Sequence, residues 1–123
     1  MQIQERTLEF GVRILKFTDK LPKTVGGAVI AKQLIRSGTS VGANMEEADG
    51  ASSKADFINK VTIARKEARE TIYWLRLIKK ADLMHNKDNI LILDDLIKEA
   101  GEIKNIISAI INKTRENKGV SIK

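Results

Sequence analysis

The sequence predicts an all-α fold, an antiparallel up-down four-helix bundle forming one self-associating domain over residues 1–123. Three observations predict it. Apolar residues recur at three- and four-residue spacing through four long segments. No stretch alternates with the two-residue period of a strand, and short clusters of breakers divide the segments. The 123 residues are 42% apolar and 31% charged, enough for one sizeable core and unlike a disordered chain.

The segments follow in order. Helix one is expected over about residues 5–20, where Phe10, Ile14, Phe17 and Leu21 share one face and Pro22 ends the run. Leu8, Val12 and Leu15 lie nearly opposite. A helix in an isolated bundle needs one apolar stripe, so this second face is assigned to a subunit contact. Helix two is expected over about 27–48, after Gly26-Gly27, with Ile30, Leu34, Gly38, Val41, Met45 and Ala48 in line. Each interior glycine lowers helix stability by roughly 1 kcal/mol relative to alanine. Gly38 and Gly42 therefore point to a tight helix crossing, or to a kink, in preference to a phosphate loop. Helix three is expected over about 54–82, capped by Ser53, with Phe57, Val61, Ala64, Ala68, Thr71, Leu75 and Ile78 as its core line. Ile63, Trp74 and Leu77 form a smaller patch beside that line, again suited to a subunit contact. Helix four is expected over about 88–114, capped by Asp88, with Ile92, Leu96, Ile103, Ile107 and Ile110 central and Leu93, Ala100 and Ile106 at the sides. A basic tail, 115–123, follows. Connections this short favour antiparallel neighbours.

Composition excludes several chemistries. There is no cysteine, so disulfides, thiolate nucleophiles and cysteine metal sites are absent. The one histidine, His85, falls in a predicted loop, and the Glu-x-x-His motifs of di-metal bundles do not occur. Ser37, Thr39, Ser40, Ser52 and Ser53 have no evident base beside them, and no Walker-type or dinucleotide run occurs. No catalytic residue, metal or cofactor is expected, and the chain is read as a non-enzyme. It carries neither an apolar signal core nor a run approaching the roughly 18 residues of a membrane span, so a cytoplasmic location without membrane association is expected.

Two charged features remain. Lys plus Arg exceed Asp plus Glu by six, and Arg65, Arg69, Arg76 and Lys80 fall on one side of helix three, with Tyr73 beside them. That row could meet successive phosphates while Tyr73 stacks on a base. It could equally be a solvated face neutralised by Glu46, Glu47, Glu67 and Glu70. The pair Glu46-Glu47 sits near a helix C-terminus, where carboxylates are unfavourable. These two are expected to be structural, pairing with the arginines of helix three and orienting them.

The run from Arg36-Ser37 through Thr39-Ser40-Val41-Gly42-Ala43-Asn44-Met45-Glu46-Glu47-Ala48, then Ile63-Ala64-Arg65-Lys66-Glu67-Ala68 and Glu70-Thr71-Ile72-Tyr73-Trp74-Leu75, is distinctive. The ungapped stretch from Gln33 to Leu83 resembles the four-helix-bundle family named for proteins encoded in 23S rRNA intervening sequences. Many relatives carry a proline where this chain has Gly42. The resemblance implies a small ring-shaped homopentamer without established enzyme activity or cofactor. The family is similar in fold to the accessory proteins of diversity-generating retroelements, which bind nucleic acid and a reverse transcriptase. A charge of +6 per chain would become about +30 in a pentamer, enough to attract a polyanion. The expected function is therefore binding of nucleic acid, RNA before DNA, by a repeated basic surface. The alternative is a protein-interaction scaffold or accessory subunit for an acidic or enzymatic partner. A third and weaker reading is an intersubunit active site of Glu46, Glu47 and Arg65.

Overall fold

Residues 2–116 are described by the computed structural model, in which the expected helices run Ile3–Thr18 (α1), Val25–Asp49 (α2), Lys54–Lys80 (α3) and Lys87–Glu116 (α4). Each helix packs on its successor, α4 closes back on α1, and the two diagonal pairs stand apart. The α1–α4 seam is the lightest of the four. It is laced by ion pairs, Arg6 with Glu99 and Glu102 at 2.7 Å each, and Arg13 with Asp95.

The ends of the helices are set by local hydrogen bonds. Helix α2 starts two residues earlier than expected because Thr24 is its N-cap, accepting from the Gly27 amide at 3.1 Å. Gly26 and Gly27 thus lie in its first turn. Ser53 caps α3 as expected, accepting from the Asp56 amide at 3.0 Å. Helix α3 stops at Lys80, short of the expected residue 82, because Asp82 turns left-handed (φ 54°). The amides of Asp82 and Leu83 then bond back to Lys79 and Ile78, closing a Schellman turn with aspartate where glycine is usual. The expected cap of α4, Asp88, lies inside the first turn. Asn86 does the capping instead, its Oδ1 accepting from the amides of Asp88 and Asn89 at 2.8 and 3.2 Å. Arg115 and Glu116, assigned above to the tail, close α4. The remaining tail, 117–123, lies outside the described residues.

The core forms where the periodicity places it. Phe10, Ile14, Phe17 and Leu21 are all buried, as are Leu34, Val41, Met45 and Ala48 of α2. Val61, Ala64, Ala68, Leu75 and Ile78 of α3 meet them, and Phe57 is half-buried. The buried line of α4 rotates from the expected one towards Leu93, Ala100 and Ile111, leaving Ile92 and Ile110 half-buried, since α4 must face both α3 and α1. Burying each large aliphatic side chain contributes about 1.5–3 kcal/mol.

Glycines bring α1 onto α2. A Cβ on Gly38 would stand 2.9 Å from Cγ2 of buried Ile14, and one on Gly42 would stand 3.1 Å from the Thr7 carbonyl oxygen. These are the tight crossing that the sequence offered beside a kink, and α2 runs as one helix through both glycines. Between α2 and α3 the buried Thr71 hydroxyl donates to Ser37 Oγ at 2.9 Å, and Ser37 donates in turn to the Leu34 carbonyl at 3.5 Å.

Candidate nucleic-acid interface

Helix α3 is 27 residues long, and its sequence places cations on the side between its two packed edges. One edge faces α2. There Arg36 reaches across to Glu67 at 3.3 Å and also pairs with Glu70. The other edge faces α4, where Lys79 binds Asp94 at 2.6 Å. The carboxylates nearest the basic row are thereby engaged by residues outside it. Arg65, Arg69, Arg76 and Lys80 have no ion-pair partner among the described residues, and neither does Lys66 beside them. Glu67 and Glu70, weighed above as neutralisers of the row, pair with Arg36 and make no ion pair with it.

The expected role of Glu46 and Glu47 also changes. Glu47 pairs with Lys60 at 2.9 Å, and this hydrogen bond raises the Lys60 pKa above its ordinary value. Glu46 is exposed and without an ion pair among the described residues. Neither orients Arg65 or Arg69, because the register of α2 on α3 brings Lys60 to the α2 terminus instead.

Two clefts lie along the basic side. The first, about 240 Å³, is lined by Thr62, Arg65, Lys66 and Arg69, and Thr62 Oγ1 lies there shielded from solvent with no hydrogen-bond partner among the described residues. The second, about 470 Å³, is lined by Tyr73, Arg76, Leu77, Lys79 and Lys80. At 1.5 Å per residue, Arg65 and Arg76 are about 17 Å apart along the helix. Tyr73 is 59% exposed and meets Trp74 edge-on, with ring centroids 5.1 Å apart and planes at 75°. Trp74 is half-buried against the core, and its Nε1 donates to Glu70 Oε2 at 3.1 Å. Sequence reasoning named Glu70 as a neutraliser of the basic row and missed that Glu70 and Arg36 brace this aromatic pair. Their signal was the three-residue spacing of Glu67 and Glu70, which puts two carboxylates on the edge facing Arg36.

The apolar residues assigned to subunit contacts divide. Leu8 (59% exposed), Val12 (36%) and Leu15 (47%) stand out from α1. Together with Thr39, Gly42, Ala43 and Glu46 they line a groove of about 350 Å³ between α1 and α2. Ile63, Trp74 and Leu77 are each half-buried, and Leu77 lines the second basic cleft. His85 is exposed in its loop, and no group of three or more metal-ligating side chains occurs among the described residues. No helix among them is long and apolar enough to cross a membrane.

The class so defined is a small four-helix-bundle protein with a row of cations along the outside of α3. The chain belongs to the 23S rRNA-intervening sequence protein family, whose model matches residues 1–109. It is similar to a solved protein of unknown function from the S23 ribosomal protein family of Bacteroides thetaiotaomicron VPI-5482. The two share 39% identity with a TM-score of 0.79, over 89% of this chain and 98% of that one. No curated protein matches it. The resemblance drawn from Gln33–Leu83 thus identified the family. The family is one of unknown function and is not known for catalysis.

Proposed function

We propose that this protein binds nucleic acid without catalysis, RNA before DNA, through the basic side of α3, as a homo-oligomer that repeats this surface and is a pentamer by family resemblance. The observation that carries the reading is the row Arg65, Arg69, Arg76 and Lys80, whose neighbouring carboxylates are held by Arg36. Four unpaired cations per subunit are a modest electrostatic footprint, and repetition around a ring multiplies it through effective concentration. Self-association is supported by Leu8, Val12 and Leu15, an apolar stripe standing in solvent beside an apolar-walled groove. The same groove also supports the second reading, a scaffold for a protein partner.

Size-exclusion chromatography with light scattering, run with a fluorescent RNA across a salt series, tests the reading. An oligomer that binds RNA at low salt is expected, with a log–log salt slope of about −3 or steeper for four single-strand phosphate contacts. Charge reversal at Arg69 and Arg76 should abolish binding and leave the oligomer intact. An oligomer without RNA affinity at low salt would sink the nucleic-acid reading, and recovery of one defined protein after nuclease treatment would establish the scaffold. A monomer would remove the ring.

A further inference from the structure

We infer that the cleft at Tyr73 takes one unpaired nucleobase, so that the basic side of α3 selects single-stranded over double-stranded nucleic acid. The inference rests on the nucleic-acid reading above and adds the strandedness of the ligand.

The cleft joins an aromatic wall, an apolar floor and free cations. Tyr73 presents a largely exposed ring, and Leu77, one turn along the same face, lies half-buried beside it. Arg76 and Lys80 flank the pair with no carboxylate partner among the described residues, whereas Lys79 is held by Asp94. The space, about 470 Å³, is an open hollow lined by α3 side chains. The Tyr73 ring is braced on one side by Trp74, which is itself fixed by Glu70 and packed on the core. Its exposed surface is therefore a held platform.

A base inside a duplex is already stacked on both faces and cannot reach such a platform, whereas an unpaired base can. Besides the Tyr73 hydroxyl, the polar side chains lining the cleft are cations, which can contact phosphate. Stacking on Tyr73 between two phosphate contacts tolerates any base, because every base has a π-face. A surface acting by charge alone would prefer the duplex, whose phosphates are denser. A preference for the single strand is diagnostic for that reason.

Trp74 is the sole tryptophan and touches Tyr73, so its emission reports on the cleft. The experiment titrates the full chain at low salt with an oligouridine of about 12 nucleotides and with an RNA duplex of the same length, within the usual range of single-strand site sizes. The oligouridine is expected to bind at least about fivefold more tightly than the duplex and to change Trp74 emission. Tyr73→Ala should weaken oligouridine binding by at least about fivefold and leave duplex binding unchanged, while Tyr73→Phe retains both. Tyr73 is exposed, so folding of the alanine variant is checked simply by its helical circular dichroism. Equal affinity for both RNAs with no effect of Tyr73→Ala would overturn the nucleotide cleft while leaving the basic surface standing. Binding of neither RNA would remove both. Trp74 emission that follows protein concentration and ignores RNA would assign the cleft to a second copy of the chain, and would overturn the inference too.

Discussion

The indole of Trp74 donates to Glu70, one turn back on the same helix, at 3.1 Å, and the same Glu70 oxygen receives Arg36 from the neighbouring helix. One carboxylate thereby ties the α2–α3 edge to the aromatic pair at the mouth of the basic cleft. It makes no ion pair with Arg69 or Arg76.

Removing that carboxylate should loosen the tryptophan. Glu70→Ala is expected to shift Trp74 emission to the red and to lower stability by about 1 kcal/mol, the scale of one net hydrogen bond plus a largely exposed ion pair. Glu70→Gln keeps an acceptor for the indole and should hold the emission near that of the parent while losing most of the Arg36 pairing. Fluorescence and urea denaturation of the three proteins decide this. An unchanged spectrum in Glu70→Ala would mean that core packing alone fixes the indole.

Glycine positions should respond with opposite signs. Gly38→Ala forces a methyl group against buried Ile14, at 2.9 Å from its Cγ2. Overpacking of this kind costs about 1–3 kcal/mol, more than the roughly 1 kcal/mol gained in helix propensity. Gly101→Ala, in the middle of α4 with nothing within 4 Å of the added Cβ, should gain up to about 1 kcal/mol. Chemical denaturation midpoints read both. A stabilised Gly38→Ala variant would show that α1 can move off α2 freely.

The α1–α4 ion pairs predict a pH dependence. The Arg6 hydrogen bond holds the Glu99 carboxyl below its ordinary pKa, outweighing the effect of its partial burial. Glu99 and Glu102 in turn raise that of Arg6. A carboxyl whose folded pKa is depressed adds stability that is present above the unfolded value, about 4.3, and is lost as pH falls through the folded one. Glu99→Gln should therefore destabilise by up to about 1 kcal/mol at pH 7, discounted for the partial exposure of the pair. The difference from the parent should shrink as pH drops below about 4. Paired denaturation curves at pH 7 and pH 3 test it, and a gap of equal size at both would assign the effect to packing.

The fold was legible because burial follows a helical period. Phe10, Ile14, Phe17 and Leu21 needed only their spacing. Helix ends were less legible, since Asn86 and Asp88 are both good caps and the backbone chooses between them. Asp82 adopts a conformation that glycine normally signals, so α3 read two residues too long. The composition of the basic row was legible, but its freedom from carboxylates was not. Arg65 and Glu67, two residues apart, lie on different sides of α3, but whether Glu67 meets Arg36 depends on how α2 and α3 slide past each other, which no local pattern records. For the same reason Glu47 was assigned to the arginines and found with Lys60.

The crossing of α1 over α2 has one further consequence. With Gly42 beneath the Thr7 carbonyl and Gly11 facing the Thr39 backbone, α1 is seated almost main chain to main chain. This close seat holds Leu8, Val12 and Leu15 on the outer side of α1. In the single chain those three side chains stand in water, a surface that another molecule could cover.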